Sequence, residues 1–417
     1  MIPTHNQIML PLLSFLDANG GSAKAGEAID AVAHKLQVPE GVKNDFKVVE
    51  YDNWGPRKRS NFRQSVHWAR MDAVMAGYLE KREYGVWTLS PKGRETLVNV
   101  QPGVILFVYE TPNGQVFLAD AVTAAGALAD SSVNLVFTSS PYPILSGRGY
   151  GTFTESELIS LLVAAAREWK RALTDDGSIV LNLKDCWLPK AQTGGAVRSL
   201  YQEKLLIALS EEVGLHFADR HFWQNPSHLP DSPWVTVKKI RLNQDVEQLF
   251  WFGKTPNPYA DNRAVLVDAA PATIETYLRK AKSAQKNRVG PSRHNNVFEE
   301  QVAACAAGQS IKVIPRNLQT FSNADPKNAL TRRLQELGLP KHDAAMPLKL
   351  AEFFIRFLTR AGDTVHDPFF GSGTTGVAAE GLGRRFLGSD RSLAHLLGSA
   401  LRFPSVNYGD NPAVAVA

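Results

Sequence analysis

Cysteine is scarce in this chain, with only Cys186 and Cys305 among 417 residues. Two thiols cannot build a disulfide framework, nor a four-ligand zinc site without other ligands, so the expected setting is a reducing cytoplasm. Long apolar runs are also missing. No stretch of about 18 uninterrupted apolar residues occurs, and no membrane span or membrane partner is expected. The opening Met1-Ile2-Pro3-Thr4-His5 lacks the basic and apolar regions of a secretory signal. Internal repeats and low-complexity tracts are absent as well. Neither sign of charge dominates: 46 Lys and Arg stand against 41 Asp and Glu, a net charge of +5. This small surplus fits an anionic partner, because cations placed on nucleic acid release condensed counterions, but many enzymes are mildly basic too.

The chain is long enough for two or three domains, and its first 97 residues read as a helical module. Ile8, Met9, Leu12, Leu13, Phe15 and Leu16 recur at helical spacing, and Asn19-Gly20-Gly21 stops that helix. Ala28, Ile29, Val32, Ala33 and Leu36 mark a second helix. A third is expected from about Asn61 to Glu80, with Val66, Ala69, Met71, Val74 and Leu79 on its buried side. Glu83 to Ser90 reads as a β-ribbon that Pro91-Lys92-Gly93 ends. Helices followed by a ribbon make the layout of a winged helix, whose third helix enters the major groove of DNA. Arg57, Lys58, Arg59 and Arg63 cluster where that helix starts and could meet phosphates, or form a solvated charge run. "IPTHNQIMLPLLSFL" and "REYGVWTLSPKGRE" resemble the start and end of the N-terminal winged-helix domain of Mrr-type restriction proteins, and the resemblance implies DNA binding.

From Val104 onward strands and helices alternate, as in an α/β domain with a largely parallel sheet. Val104–Tyr109 and Gln115–Leu118 flank the hairpin signal Pro112-Asn113-Gly114. A strand at 133–138, a helix at 155–172, a strand at 178–183 and a helix near 198–213 follow. Apolar stretches at 215–223 and 246–252 come next. Residues 255–340, rich in Lys, Arg, Asn, Gln and Pro, interrupt the rhythm. It resumes at Met346 with a helix to Arg360, a strand at 364–367, a helix at 374–380 and a strand at 385–389.

Asp367-Pro368-Phe369-Phe370-Gly371-Ser372-Gly373-Thr374-Thr375-Gly376 places G-x-G-x-x-G between a strand and a helix. Such glycines allow a sharp turn and close approach to a ligand, and the helix N-terminus favours a negative group. Asp390 ends the next strand, placed to take ribose hydroxyls. NAD and S-adenosylmethionine both satisfy this pattern. Only 27 residues follow Asp390, too few for the rest of a nucleotide-binding sheet. The sheet is therefore expected to close in permuted order, which favours a methyltransferase over a nicotinamide enzyme.

"HDPFFGSGTT" resembles the cofactor motif of the β-class amino-methyltransferases of DNA. In that family the residues matching Asp367, Pro368, Phe369, Gly371, Ser372, Gly373 and Thr374 surround the methionine part of S-adenosylmethionine. The residue matching Asp390 binds ribose, and Asp120 of "VFLAD" matches an acidic position near adenine. "HDAAMPLKLAEFF", from His342, resembles the segment that completes the methionine pocket.

The second chemical motif lies far upstream: Ser139-Ser140-Pro141-Tyr142, after the apolar strand at 133–138. The exocyclic amine of cytosine or adenine is a poor nucleophile, since its lone pair is delocalised into the ring. Two acceptors aimed at its hydrogens, the Ser139 hydroxyl and the Ser140 carbonyl, would position it for attack on a sulfonium methyl. The ring of Tyr142 can stack on an extruded base, and Pro141 stiffens the turn. Taken alone, the segment equally describes a Ser/Pro turn after a buried strand. In the same family Ser-Pro-Pro-Tyr marks mostly N4-cytosine enzymes, while Asp- or Asn-Pro-Pro-Tyr marks mostly N6-adenine enzymes. Ser140 stands where a proline is usual, which keeps the main-chain carbonyl. Trp223, Asn225, Glu247 and Lys254 fall where the family has Trp-x-Lys-Pro-Asn, His-Glu and a strand-ending Lys, with Gln224-Asn225 replacing Lys-Pro. Trp223 could wall the base pocket or simply pack in the core.

Methylation at C5 of cytosine needs a thiolate, normally after a proline, whereas Cys186 follows Asp185 and Cys305 follows Ala304. Lys184 and Asp185 alone do not make a nuclease metal cluster, and no metal is expected. The reading is an α/β, permuted Rossmann-like, S-adenosylmethionine-dependent methyltransferase domain behind an N-terminal winged-helix domain. Its expected parts are 1–97 for DNA binding, 98–254 for the catalytic half, 255–340 for target recognition and 341–417 for the cofactor half. Double-stranded DNA is the expected partner, with a cognate restriction endonuclease acting separately. The alternatives are an N6-adenine enzyme, or a DNA-binding regulator with a degenerate cofactor domain.

Overall fold

The computed structural model describes residues 2–49, 57–81, 85–98, 100–143, 153–188, 193–230, 232–284, 309–323, 329–341 and 346–406, together with residues 304 and 307. The N-terminal module begins with α1 (His5–Ala18). Thr4 caps it by accepting from the Gln7 amide, while the Gln7 side chain returns to the Thr4 amide. After it come β1 (Ser22–Lys24), α2 (Ala25–Lys35), α3 (Glu40–Lys43), β2 (Phe46–Val49) and β3 (Arg57–Ser60). The module closes with α4 (Asn61–Met75), β4 (Val86–Thr88) and α5 (Pro91–Val98).

Three expectations for this module need correction. The third helix stops at Met75, not Glu80, because Gly77 turns the chain at φ 79° and Leu79 leaves to bridge Leu89. Met71 is exposed, and Leu79 is buried through that bridge instead of through a helix face. The ribbon pairs β4 with the distant β1, and Pro91 opens α5, since the first helical position does not need its N–H. A hairpin of β2 and β3 also precedes α4 and carries the basic cluster. Glu83 and Tyr84 lie outside the described residues.

The remaining elements, in chain order, are β5 (Leu106–Thr111), β6 (Gly114–Leu118), α6 (Ala121–Gly126), β7 (Val133–Ser139), α7 (Glu155–Ala172) and β8 (Leu173–Leu183). Next are α8 (Tyr201–Glu211), β9 (His216–Gln224), β10 (Val246–Gly253), β11 (Val267–Asp268), α9 (Pro271–Ala284), β12 (Lys312–Val313) and β13 (Leu318–Thr320). Last come α10 (Ala329–Glu336), α11 (Leu348–Leu358), β14 (Thr364–Asp367), α12 (Thr374–Gly381), β15 (Arg385–Asp390) and α13 (Leu393–Ala400).

Among the described residues one sheet dominates, with strand order β13-β9-β10-β8-β7-β14-β15-β6-β5. The strands from β8 to β6 run parallel, β10 is antiparallel to both of its neighbours, and β5 is antiparallel to β6. The late strands β14 and β15 slot between β7 and β6, which is the permuted closure that the position of the glycine loop implies. All four residues of β14 are buried, as a strand covered on both faces must be.

On one face α7 packs Leu158, Leu162, Ala165, Ala166 and Trp169 at helical spacing against β7 and β8. On the other, α11 brings Phe354 onto Phe137 of β7 with ring centroids 5.5 Å apart. The second core also contains α1, which lies against β5, so the N-terminal module shares a continuous apolar core with the sheet. Residues 318–320 of the region at 255–340 belong to the main sheet as its edge strand, paired with β9.

Phe370 is buried beneath the glycine loop and stacks on Phe386, which stacks in turn on Phe403. Gly388 permits this, because a Cβ there would stand 2.5 Å from Phe370 Cδ2. Gly388→Ala should therefore lower stability by about 1–3 kcal/mol through overpacking. Thermal or urea melts check this, and an unchanged midpoint would mean that the ring can move aside.

Candidate active site

In open parallel sheets a ligand crevice forms at the carboxyl ends of the strands, where the strand order reverses. Here that point lies between β7 and β14. The Ser-Ser-Pro-Tyr turn leaves the end of β7, and Asp367 ends β14 beside it. A hydrogen bond of 2.6 Å from the Thr138 hydroxyl to Asp367 Oδ1 joins the two motifs. Segments more than two hundred residues apart thus meet at adjacent strand ends.

On the β14 side the glycine loop is built as its sequence suggests. Gly371 and Gly373 adopt φ of 48° and 75°, where L side chains are strained. Gly371 N donates to Asp390 Oδ2 at 2.8 Å, and Asp390 Oδ1 accepts from Ser392 N at 2.9 Å, so this carboxylate braces the loop it faces. Gly376, third in the pattern, serves packing instead of ligand approach, since a Cβ there would lie 2.7 Å from Phe370. Asp120, just beyond β6, caps α6 by accepting from the Val122 and Thr123 amides. Pro368 and Thr374 are buried, Phe369 and Ser372 partly so. Asp367, Asp390 and Asp120 thereby stand at the ends of three parallel strands. Of the segment from His342, Met346 onward leads into α11, while residues 342–345 lie outside the described residues.

Arg402, which no motif singles out, reaches the loop from the chain beyond α13. Its Nη1 donates to the Ser372 carbonyl at 3.1 Å and to Thr374 Oγ1 at 2.7 Å. Burial lowers its pKa, yet an arginine keeps its charge.

On the β7 side the two serines separate clearly. Ser140 is buried and its hydroxyl donates to the Pro141 carbonyl at 3.0 Å. The Ser139 hydroxyl accepts from Asn182 Nδ2 of β8 at 3.3 Å, and the same nitrogen donates to Glu247 Oε2 of β10 at 2.8 Å. Ser139, Asn182 and Glu247 form a line across three adjacent strand ends. Burial raises the pKa of Glu247, opposed by its bond from Asn182. Asn182 escaped the sequence reading because an amide inside "SIVLNL" carries no motif. Tyr142 packs partly buried against the α7 side of the core.

Several other candidates prove structural. Trp223 is buried, and its Nε1 donates to the Phe321 carbonyl at 2.8 Å, so it braces the core instead of walling a pocket. Lys254 Nζ donates to the Leu173 carbonyl at 2.7 Å and pairs with Asp175 at 3.2 Å. Cys186 has its thiol pushed up to about 11 by burial, which keeps it protonated, and Cys305 lies outside the described residues. In the N-terminal module Arg63 is engaged internally, 3.9 Å from Asp30 and 5.8 Å from the Phe46 ring centre. Lys58 and Lys47 are exposed on the hairpin, while the side chains of Arg57 and Arg59 lie outside the described residues.

This strand order, with the glycine loop and the serine turn at neighbouring strand ends, defines a Rossmann-like methyltransferase domain closed in permuted order. Residues 133–397 match the DNA methylase family and residues 5–99 match the Mrr N-terminal domain. The chain belongs to the DNA methylase family. It is 30% identical over 304 residues to the type II methyltransferase M.PvuII of Proteus hauseri, spanning 72% of this chain and 87% of that protein. It is 24% identical over 350 residues to M.XycI of Xanthomonas campestris pv. cyanopsidis, spanning 77% and 95%. The solved structure of PvuII DNA methyltransferase (cytosine-N4-specific) aligns with a TM-score of 0.56 at 26% identity, covering 76% of this chain and 96% of that one.

Asp367 has its pKa raised to about 6, chiefly by burial, against the opposing Thr138 bond. An acid with a raised folded-state pKa favours folding below its unfolded value and loses that contribution as pH climbs through about 4 to 6. Asp367→Asn should therefore be more stable than the wild type at pH 8, by about 3 kcal/mol at most. The gap should shrink towards pH 5. Buried His366, with its pKa down to about 4, works in the opposite sense but is common to both proteins. Urea melts of the two proteins at pH 8 and pH 5 measure the difference, and a gap that widens on acidification would contradict the assignment.

Proposed function

We propose that this DNA methylase transfers a methyl group from S-adenosylmethionine to the exocyclic N4 of a cytosine in duplex DNA. The observation that carries the reading is the Thr138–Asp367 bond, which fixes a serine-bearing turn beside a glycine loop. The chain's own residues suit that cofactor. Asp367 is a buried carboxylate whose hydrogen-bond donors are a hydroxyl and an amide, and a cationic ligand would relieve its raised pKa. Asp390 keeps lone pairs for ribose hydroxyls, and Asp120 sits nearby at its helix cap. When bound, S-adenosylmethionine supplies an electrophilic methyl on a sulfonium.

The target cytosine leaves the duplex at a cost of about a few kcal/mol and enters the cleft at Tyr142. Asn182 holds the Ser139 hydroxyl in one rotamer by donating to it, leaving that oxygen a lone pair for an N4 hydrogen. The Ser140 carbonyl takes the other hydrogen. Held from both sides, the nitrogen is positioned and biased towards pyramidal geometry, which is where most of the barrier lowering comes from. A serine as the side-chain acceptor, as in the N4-cytosine pattern, is the reason for preferring cytosine to adenine. M.PvuII, its relative, is named as a type II methyltransferase, which supports a restriction-modification setting in the cytoplasm with a separate cognate endonuclease.

The test is to incubate the protein with mixed-sequence DNA and labelled cofactor, digest to nucleosides and identify the labelled base. N4-methylcytosine is expected, and N6-methyladenine would overturn the cytosine assignment. Cofactor binding without any labelled base would favour the regulator. In the same assay Ser139→Ala should cut turnover by about 100-fold while cofactor affinity changes little. Equal loss of both would remove Ser139 from its role.

In the N-terminal module the β2–β3 hairpin, with Lys47 and Lys58 exposed, supplies phosphate contacts. Lys47→Glu with Lys58→Glu should weaken DNA binding and flatten the dependence of log K on log salt by about two units. An unchanged slope would take the hairpin out of the interface.

A further inference from the structure

The loop between β9 and β10 exposes four apolar side chains, Leu229, Val237, Ile240 and Leu242, that neither the fold nor the proposed chemistry uses. It is rooted at the candidate active site, because Glu247 is the second residue of β10 and Asn225 directly follows β9. Leu242, on this loop, is 90% exposed. Exposed leucines are ordinary in themselves. This one is held out by polar braces on both sides. Arg241 Nη2 donates to the Ala196 carbonyl at 3.0 Å, and Gln244 Nε2 donates to Asp185. The base of the loop is closed by Asn225 N donating to the Asp245 carbonyl at 2.7 Å, and its body by Ile240 N donating to the Trp234 carbonyl at 3.0 Å.

Charge surrounds the leucine. Lys238, Lys239 and Arg241 are exposed, with the Lys238 ammonium 4.7 Å from the Trp234 ring centre. Beneath lies an open hollow of about 400 Å³ lined by Asp185, Trp187, Arg198, Arg241, Leu242 and Gln244. The Arg198 guanidinium covers Trp187 at 3.5 Å. Cations beside a projecting apolar side chain suit a stacked polyanion: the cations meet phosphates, and the apolar tip enters between base steps. Leu229, Val237 and Ile240 of the same loop are exposed too, but Leu242 is the most exposed of them and stands directly beside Arg241, and a run of cations suits a phosphate backbone better than a neutral protein face.

We propose that Leu242 is the wedge that enters the duplex as the target base leaves it, with Lys238, Lys239 and Arg241 gripping the flanking phosphates. This rests on the DNA methylation proposed above, and it assigns duplex opening to residues 226–245, outside the region at 255–340 expected to recognise the target. Because Leu242 is exposed, its replacement should leave folding intact. The test uses the full chain and two DNAs: a duplex that the wild type methylates, and the same duplex with an abasic site opposite the target cytosine. Leu242→Ala should lower kcat/KM on the paired duplex by about tenfold and on the abasic duplex by no more than about twofold, since that base is already unpaired and costs less to extrude. Leu242→Met should keep most of the activity on both. Unaltered activity of Leu242→Ala on paired DNA, or an equal loss on both DNAs, would overturn the assignment. Failure to find any duplex that the wild type methylates would remove the underlying reading, and the wedge with it.

Discussion

The contact between Thr138 and Asp367 is the joint on which the cleft depends. Asp367 closes one buried parallel strand and Thr138 is next to the last residue of the other, and each leads at once into the segment that carries chemistry. A hydrogen bond to an ionisable group contributes about 1.5–3 kcal/mol, and more is lost when its partner is left buried and unpaired. Its larger effect is one of register. With the two strand ends held at this height, the glycine loop and the serine turn open into the same space. Slippage by one residue would turn one of them to the opposite face of the sheet.

Around this joint the polar groups are arranged asymmetrically. On the β14 side a buried acid has no cationic partner among the described residues, and burial raises its pKa. Its nearest supports are main-chain amides and hydroxyls, with the Arg402 guanidinium bound to the back of the loop. On the β7 side stand a serine, an asparagine and a glutamate whose pKa burial also raises, linked by hydrogen bonds through the asparagine. A cationic methyl donor on one side and a neutral amine on the other is the reaction such an arrangement suits.

The sheet itself was largely legible, because Val133–Thr138, Ser178–Leu183 and Thr364–Asp367 are apolar runs bounded by turn residues, and the glycine loop marks the start of α12. Permutation followed from where that loop sits in the chain. Asn182 and Arg402 could not be read, since the first is one amide in an apolar strand and the second acts on a backbone carbonyl made available only by folding. The extent of α4 was overstated because the apolar periodicity continues past Gly77, whose left-handed conformation ends the helix while Leu79 satisfies the same core from a bridge. Trp223 and Lys254 match family positions but spend their polar atoms on main-chain carbonyls, a distinction that only coordinates reveal.

The packing of α1 against β5 has a practical corollary. Ile8, Leu12 and Leu16 share one core with Val104, Leu106 and Tyr109, so the first module is no detachable tether. Cutting the chain at residue 97 would bare apolar surface on the terminal strand of the large sheet, inviting aggregation whatever happens to DNA contact. Truncation is thus the wrong tool for dissecting this protein, and exchange of hairpin side chains, with the helix left in place, is the right one.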